Sequence, residues 1–463
     1  MKRVALPVAI ALVLLAAFFL WGARVRPAIG GDDFFSLVCF SRDLAAGATD
    51  VPAGRYVYFP GGYTVFRAAI ALNGASLAAL QWDYLIFILA NVGLTGAVAG
   101  RVTRSFPAGI AAALLNMGLC LRSQGLDGCI GLLAPVPVLA ALALVAGKPF
   151  SGRPGLARAC ILGAALGLAL SLKQQAGFLA LGAAAFLVRK PRAPLLLLPA
   201  TALASFGLAI AFEGHGLDPI RWGLGAVTAY ASQGSFLGNV FGSLHHPRAL
   251  GGLFLGNLVA AGAWGWLAVR RPDLRAEPWL SVLGFSALAA LATFVQFTRR
   301  DYAQYALLAI PFLSVALVLL AAAARSKLAL AALGAAGLVL WATAPIPDRF
   351  RNHVQDELEL VRPLLTPRDE LVVFPLRRND VHFLLGTRVR SSPLGYFWPT
   401  GLGLTFRDRD WDAVTAVLVS GRDACAPERE AQEAQERQEV LAFVEGKGFR
   451  RVATTATFEL LRR

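Results

Sequence analysis

Two carboxylates, Asp32 and Asp33, stand side by side in "VRPAIGGDDFFSLVCFSRDL", directly after an apolar run long enough to cross a membrane. Adjacent carboxylates repel, so the pair calls for a cationic neighbour or a bound proton. A carboxylate at a membrane-edge cleft can take a proton from an attacking hydroxyl or coordinate a metal. Cations recur further along the chain: Arg55 in "RYVYFPGGY", Lys173 in "SLKQQAG", and Arg299 and Arg300 in "FTRRDYAQYALLAIPFL", which also carries Tyr302 and Tyr305. Such groups hold a phosphate through charge-assisted hydrogen bonds. A base and a phosphate clamp beside lipid point to group transfer from a lipid phosphate. Glu213 and His215 in "FEGHGLDPIRWG" and His245 and His246 in "GSLHHPR" bound a long loop; all four are acceptor-side or loop candidates, and the three histidines have the chemistry of metal ligands. Each residue alone also has a plainer explanation. Asp32 would serve as a helix N-cap, the cations and tyrosines as headgroup anchors, and the histidines as ordinary loop residues.

The elements that must position these groups are membrane spans. Of the 463 residues, 56% are hydrophobic and 16% charged, against about 25% charged in an ordinary soluble domain. A bilayer core about 30 Å thick needs roughly 20 apolar residues per helix, and such runs recur as far as residue 345 or so. Eleven spans are expected: 4–23, 82–100, 106–121, 128–146, 156–172, 174–188, 193–212, 249–269, 278–297, 302–322 and 328–344. With the N-terminus inside, the cytoplasmic sites hold 15 Lys and Arg and two acids, while the outer side holds 11 basic and nine acidic residues, counting Asp83 at the outer edge of its span. That asymmetry is the positive-inside pattern. The stretch 63–81 carries Arg67 and Asn73–Gly74 in its middle and reads as an interfacial helix on the outer surface. Gly30 and Gly31 should let the chain turn sharply after the first span. "FFSLVCF" reads as a surface helix with its aromatics in the headgroup layer, and "SLKQQAG" as a tight outer turn with Lys173 at its tip.

The net charge of +15 does not signal nucleic acid. From Asp348 onward 18 basic residues balance 18 acidic ones, so the whole surplus sits in the membrane part. The cysteines, Cys39, Cys120, Cys129, Cys160 and Cys425, have no metal-type spacing. Cys120 and Cys129 flank one short loop and would pair in an oxidising compartment.

An odd number of spans puts the tail on the same side as Asp32 and Asp33. This gives a membrane domain over 1–346, with its first outer loop at about 24–81, and an extracytoplasmic α/β domain over 347–463. In the tail, "ELVVFP" and "AVTAVLVS" read as buried strands, "REAQEAQERQEVLAFVEGKGF" as a helix ending at Gly446–Gly448, and "RVATTATFELL" as a strand or hairpin.

The order of these parts resembles the GT-C glycosyltransferases of the glycosyltransferase family 39 type, among them the protein O-mannosyltransferases and the 4-amino-arabinose lipid A transferases. Their first span leads to an outer loop with an acidic pair, here Asp32–Asp33. A proline-bearing stretch and an interfacial helix follow, here "YFPGGYTVFRAAIALNG". A later short hairpin carries a Leu-Thr-Lys type turn, here "SLKQQAG", and a basic-Tyr-x-x-Tyr entry leads into a proline-bearing span, here "RRDYAQYALLAIPFL". Two departures stand out. The pair is Asp-Asp instead of Asp-Glu, and the Lys-Pro-Pro of the first loop is absent, leaving Arg55 or Arg67 for that phosphate contact.

The resemblance implies a mainly α polytopic enzyme of a bacterial cytoplasmic membrane, multi-pass, with its N-terminus cytoplasmic and its site outside. The donor would be a polyprenyl-phosphate sugar, and the acceptor a hydroxyl on a glycan, lipid or protein. Asp32 would be the base and Asp33 its partner or a metal ligand. Lys173, Arg299 and Arg300 would stabilise the leaving phosphate, with Tyr302 and Tyr305 donating to it. The family has metal-dependent and metal-independent members, so Mg²⁺ or Mn²⁺ is an open expectation and no cofactor is certain. Two rivals remain at this point: a transporter or flippase of lipid-linked glycan, which would place charges at mid-membrane, and a glycan polymerase or ligase, which would use the loop 213–248.

Overall fold

The computed structural model describes residues 2–46, 59–123, 125–126, 128–145, 152–187, 193–213, 220, 250–271, 273–274, 277–297, 303–344, 353–366, 369–374, 379–386, 411–420 and 430–463. The first helix, α1 (Lys2–Val25), covers the first expected span. After a short 3-10 turn come α2 (Asp32–Ala45) and α3 (Gly61–Asn73). The membrane part continues with α4 (Leu77–Thr103), α5 (Phe106–Arg122), α6 (Pro135–Val145), α7 (Gly152–Leu172), α8 (Ala184–Leu187) and α9 (Ala193–Glu213). It ends with α10 (Leu250–Arg270), α11 (Pro278–Phe297), α12 (Ile310–Ala323) and α13 (Lys327–Ala342).

Each of the eleven expected spans coincides with a helical segment, but not always with one unbroken α-helix. Among the described residues, Leu77–Thr103 and Pro154–Leu172 are by themselves long and apolar enough to cross a bilayer, and six further apolar helices are shorter. The outer surface of the bundle is apolar: Leu20, Leu208, Phe212 and Leu328 are all at least 72% exposed. A water-facing surface seldom shows so much large apolar area, whereas lipid accepts it. Inside, α12 is buried along most of its length and packs on α4, α5, α10, α11 and α13. At the α5–α13 crossing, a Cβ on Gly118 would lie 2.4 Å from Gly337 O, so the two backbones touch. Small residues at such crossings let dispersion contacts join helices that lipid would otherwise solvate equally well.

Four expectations need correction. The span at 128–146 begins as irregular chain, with a 3-10 turn at Ile130–Leu132, and becomes α-helix only at Pro135. Gly128 at φ +79° and the prolines at 135 and 137 oppose an earlier α start. The span at 174–188 is a ten-residue 3-10 run, Gln174–Ala183, followed by the single turn of α8. It folds back beside α7 and against α11. Third, α2 is not a surface helix: Phe34, Phe35, Leu37, Val38, Cys39 and Phe40 are all buried. Phe34 stacks edge-on against Phe66 and Tyr84, and Phe40 against Tyr63. Fourth, the entry into α2 needs no left-handed glycine, because Gly31 sits at φ −72° in extended conformation.

The stretch expected at the interface divides at Gly74, which has φ +83°. On its N-terminal side, α3 has 13 residues, about 20 Å, too short for the bilayer core. It buries Tyr63, Phe66 and Ala69 and leaves Leu72 82% exposed. The remainder, from Leu77, joins α4.

The tail follows the sequence reading closely. The order is α14 (His353–Val361), β1 (Leu371–Phe374), α15 (Asn379–Leu385), β2 (Ala416–Ser420), α16 (Glu430–Gly446), β3 (Arg450–Thr454) and β4 (Phe458–Arg462). The sheet order is β1-β2-β4-β3, with β1 and β2 parallel and the other pairings antiparallel. Leu371, Val373, Ala416, Leu418, Phe458 and Leu460 face α14 and α15, and Val372, Val417, Val419 and Leu461 face α16. Both faces are therefore covered, and each fully buried Val, Leu or Phe contributes about 1.5–3 kcal/mol.

Candidate functional site

Lys173 terminates α7. Its N–H still donates to Ala169 O at 3.1 Å, but its backbone is extended at φ −150°, ψ 128°. It is not an exposed turn tip: only 1% of it reaches solvent. Its Nζ donates to Cys129 Sγ at 3.3 Å. A Cβ on Gly131 would stand 3.2 Å from Nζ and 3.6 Å from Leu307 Cβ, so the ammonium lies close against residue 131. A buried ammonium must be paired or hydrogen-bonded to be tolerated.

Three other parts of the constellation pack on chain neighbours of this lysine or of its partner Cys129. The first is the acid-pair helix. Gly128, next to Cys129, packs so closely on α2 that a Cβ there would sit 2.1 Å from Phe34 Cβ. Phe34 directly follows Asp33. The second is the "FPGGY" turn that opens α3. Cβ atoms on Gly61 and Gly62 would meet Ser171 Oγ at 2.6 Å and Ile130 Cδ1 at 3.2 Å. The third is the 3-10 segment Ala303–Leu308, whose Leu307 lies beside Gly131 and which holds the backbone of Tyr305.

The described residues 125–126 and 128–134 hold no α-helix, only the 3-10 turn Ile130–Leu132, and inside a membrane such backbone persists only where other groups satisfy it. Side chains of α4 do this. Tyr84 Oη lies 3.0 Å from Gly125 O and 3.4 Å from Cys129 O. Asn91 Nδ2 donates to Leu132 O at 2.7 Å. Asn91 is in turn held by Asn116, whose Nδ2 donates to Asn91 Oδ1 and to Thr95 Oγ1, and Cys120 donates to Asn116 Oδ1. Cys120 and Cys129 are both thiols outside any disulfide, so the bridge considered from their spacing does not form. One thiol serves the lysine and the other the asparagine network.

Asp32 and Asp33 are the first two residues of α2, and the N-cap is Gly31, whose carbonyl accepts from Phe35 N at 3.1 Å. Asp32 is therefore not the cap. The side chains of Asp32, Asp33, Tyr305 and Glu213 lie outside what the structure describes, although their backbones sit in α2, in the 303–308 segment and at the end of α9. Arg55, Arg299, Arg300, Tyr302, His215, His245 and His246 lie outside the described residues altogether. Arg67 is part-exposed on α3. Among the described residues no cluster of three His, Cys, Asp or Glu could hold a metal ion. Sequence reasoning missed Cys129, Gly128 and Tyr84. The signal available was "GLDGCIG", a glycine-rich stretch inside an apolar run.

No family model matches the sequence, and no curated protein matches it in sequence. Solved structures do match in shape. The crystal structure of ArnT from Cupriavidus metallidurans bound to undecaprenyl phosphate superposes with a TM-score of 0.62, at 14% identity, over 99% of this chain and 98% of that one. Its apo form gives 0.60 at the same identity. The Archaeoglobus fulgidus oligosaccharyltransferase in complex with zinc and sulfate gives 0.50, at 14% identity, over 84% of this chain and 64% of that one. The chain has the GT-C fold. In this chain the acid-pair helix, the proline turn and the 303–308 segment pack around the stretch 128–131 and the end of α7. The tail domain is included in the likeness, since almost the whole of both chains is matched.

Proposed function

We propose that the protein is a glycosyltransferase that moves a sugar from a polyprenyl-phosphate donor to an acceptor hydroxyl at the outer face of a bacterial cytoplasmic membrane. The observation that carries this reading is the packing of α2, the turn that opens α3 and the 303–308 segment on residues next to buried Lys173 or its partner Cys129, within a fold shared end to end with a structure that holds undecaprenyl phosphate. The docking of α15 on α2 supports placing the tail and the acid pair on one side. Asp32, with Asp33 as partner, orients the acceptor hydroxyl and takes its proton. The acceptor oxygen attacks the anomeric carbon as the bond from that carbon to the phosphate oxygen breaks. The electron pair leaves with the polyprenyl phosphate, and the configuration inverts. Lys173, Arg299 and Arg300 stabilise the charge that develops on the leaving phosphate, and Tyr302 and Tyr305 donate to it. Such prearranged charge is usually the largest single contribution to rate. Arg55 takes the place of the missing first-loop lysine, and Glu213, His215, His245 and His246 border the acceptor side. No step is assigned to a metal ion.

The test does not require the sugar to be known in advance. Purified protein in lipid nanodiscs is given a panel of undecaprenyl-phosphate-linked pentoses and hexoses with a total envelope extract as acceptor. Release of free undecaprenyl phosphate is followed by mass spectrometry. Release above a protein-free control with at least one donor is expected; no release with any of them contradicts the reading.

A further inference from the structure

We infer that the tail domain holds the acid-pair helix in register through Phe383, which makes Phe383 and Arg42 positioning residues for the proposed transfer. The inference rests on that reading of the site. Phe383 belongs to α15, in the tail, yet its buried ring is part of the apolar core of the membrane domain. It packs on Phe35 with ring centroids 5.8 Å apart. The Arg42 guanidinium lies over the same ring, 5.4 Å from its centroid, and Arg42 Nη1 donates to Phe383 O at 3.3 Å. Asp43 accepts from Arg42 at 3.3 Å and is itself buried. Phe35 and Arg42 are seven residues apart, two helical turns, and so share one face of α2. One aromatic ring from the tail thus spans two turns of the helix that begins with Asp32 and Asp33.

The opposite constraint comes from Phe34, which is seated on Gly128 beside the Lys173 partner. Two clamps on different faces fix the helix both in rotation and along its axis. Releasing one leaves the acid pair free to shift against Lys173. A misplacement of about 1 Å can lower a rate by roughly 100-fold. The tail has its own core, formed by Leu358, Val361, Val381 and the inward strand residues. Removing the Phe383 ring should therefore undock the tail without unfolding it.

The experiment compares wild type, Phe383→Ala, Phe383→Tyr and Arg42→Lys as full chains in nanodiscs. Release of undecaprenyl phosphate is measured as kcat and donor KM, and limited proteolysis reports whether the tail is folded. Phe383→Ala should lose between tenfold and 100-fold in kcat, with donor KM within about twofold and a protease-resistant tail. Phe383→Tyr keeps the ring and should stay within threefold of wild type, and Arg42→Lys should fall between the two. If wild type releases lipid phosphate while kcat of Phe383→Ala stays within threefold, the positioning role is wrong and the transfer reading stands. A fall for Phe383→Ala that coincides with tail proteolysis, and that Phe383→Tyr shares, makes the residue structural only and also overturns the role. If wild type releases nothing with any donor, the transfer reading fails and the positioning role fails with it.

Discussion

The two ends of this chain solve the problem of burying polar groups in different ways. In the tail, charge is paired with charge at the sheet edge. Asp369 accepts from Arg462 Nη2 at 2.8 Å and from Thr366 N–H and Thr415 Oγ1. Glu459 is held by Arg437. Glu357 accepts from Thr455 and Thr457 at 2.6–2.8 Å and ties α14 to the β3–β4 hairpin. In the membrane part, a lysine is buried against a thiol, and irregular backbone is satisfied by neutral side chains of a neighbouring helix. The tail is built for stability in water. The Lys173 region buries an ammonium that donates to a thiol and sits beside Gly131.

That contrast can be broken most strongly at Gly128. Alanine there would need φ +79° and a Cβ inside the contact distance of Phe34. Strain and overpacking together should cost on the order of 2–6 kcal/mol. The predicted result is loss of nearly all turnover and a large fall in melting temperature in nanodiscs. By contrast, Gly448→Ala in the tail, at φ +90° but with no atom within 4 Å of the added Cβ, should cost only about 1–2 kcal/mol and leave turnover within twofold.

Lys173→Met is the next largest effect. It keeps the buried volume and removes the charge. One charge-assisted hydrogen bond to a phosphate contributes about 1.5–3 kcal/mol, so undecaprenyl phosphate binding and turnover should drop roughly 10- to 100-fold while melting stays near wild type. Cys129→Ser keeps an acceptor for the ammonium and should remain within about threefold. Binding measured by native mass spectrometry separates these outcomes, and Lys173→Met binding the lipid as wild type does would remove the lysine from the phosphate site.

The smallest effect belongs to the tail and is a pH effect. Burial alone would push Asp369 up, but the bonds from Thr366 and Thr415 and the Arg462 charge outweigh it and hold the carboxyl below its ordinary value. A carboxyl with a lowered folded pKa stabilises the fold above its unfolded value of about 3.9 and loses that contribution as pH falls toward the folded value. Protection factors of β1 and β4, taken against intrinsic amide exchange at each pH, should therefore fall as the pH drops from about 5 to 3. Asp369→Asn should flatten that dependence. Protection that is equally pH-dependent in the variant would mean that another group carries it.

How much of this was legible in the sequence follows from the solvent each part meets. In the tail, water on the outer surfaces and a covered sheet make apolar runs read as strands, and β1, β2, α16 and the β3–β4 hairpin fell where the pattern put them. In the bundle, lipid and protein interior are about equally apolar. Hydropathy therefore located the spans but could not tell that Phe34, Phe35 and Phe40 of α2 are buried in protein instead of resting among headgroups. The 3-10 run at Gln174–Ala183 and the irregular stretch around Gly128–Cys129 were hidden for a related reason. The irregular stretch is held by residues distant in sequence, Tyr84 and Asn91, and the 3-10 run packs on α7 and α11, contacts that only the tertiary fold supplies. The acid pair and Lys173 were visible as charges out of place, whereas the thiol beside the lysine looked like any apolar residue.

The central claim is that the pair opening α2 performs chemistry. The most direct measurement is the single-turnover rate of undecaprenyl phosphate release in Asp32→Asn, Asp33→Asn and the double variant, alongside their melting temperatures. Because Gly31 and not Asp32 is the N-cap, Asn at position 32 removes no capping group. Losing a general base costs on the order of 100- to 10,000-fold in rate. Asp32→Asn should fall in that range with melting near wild type, and Asp33→Asn should be the less severe of the two. Wild-type rates in both single variants and in the double variant would contradict that claim.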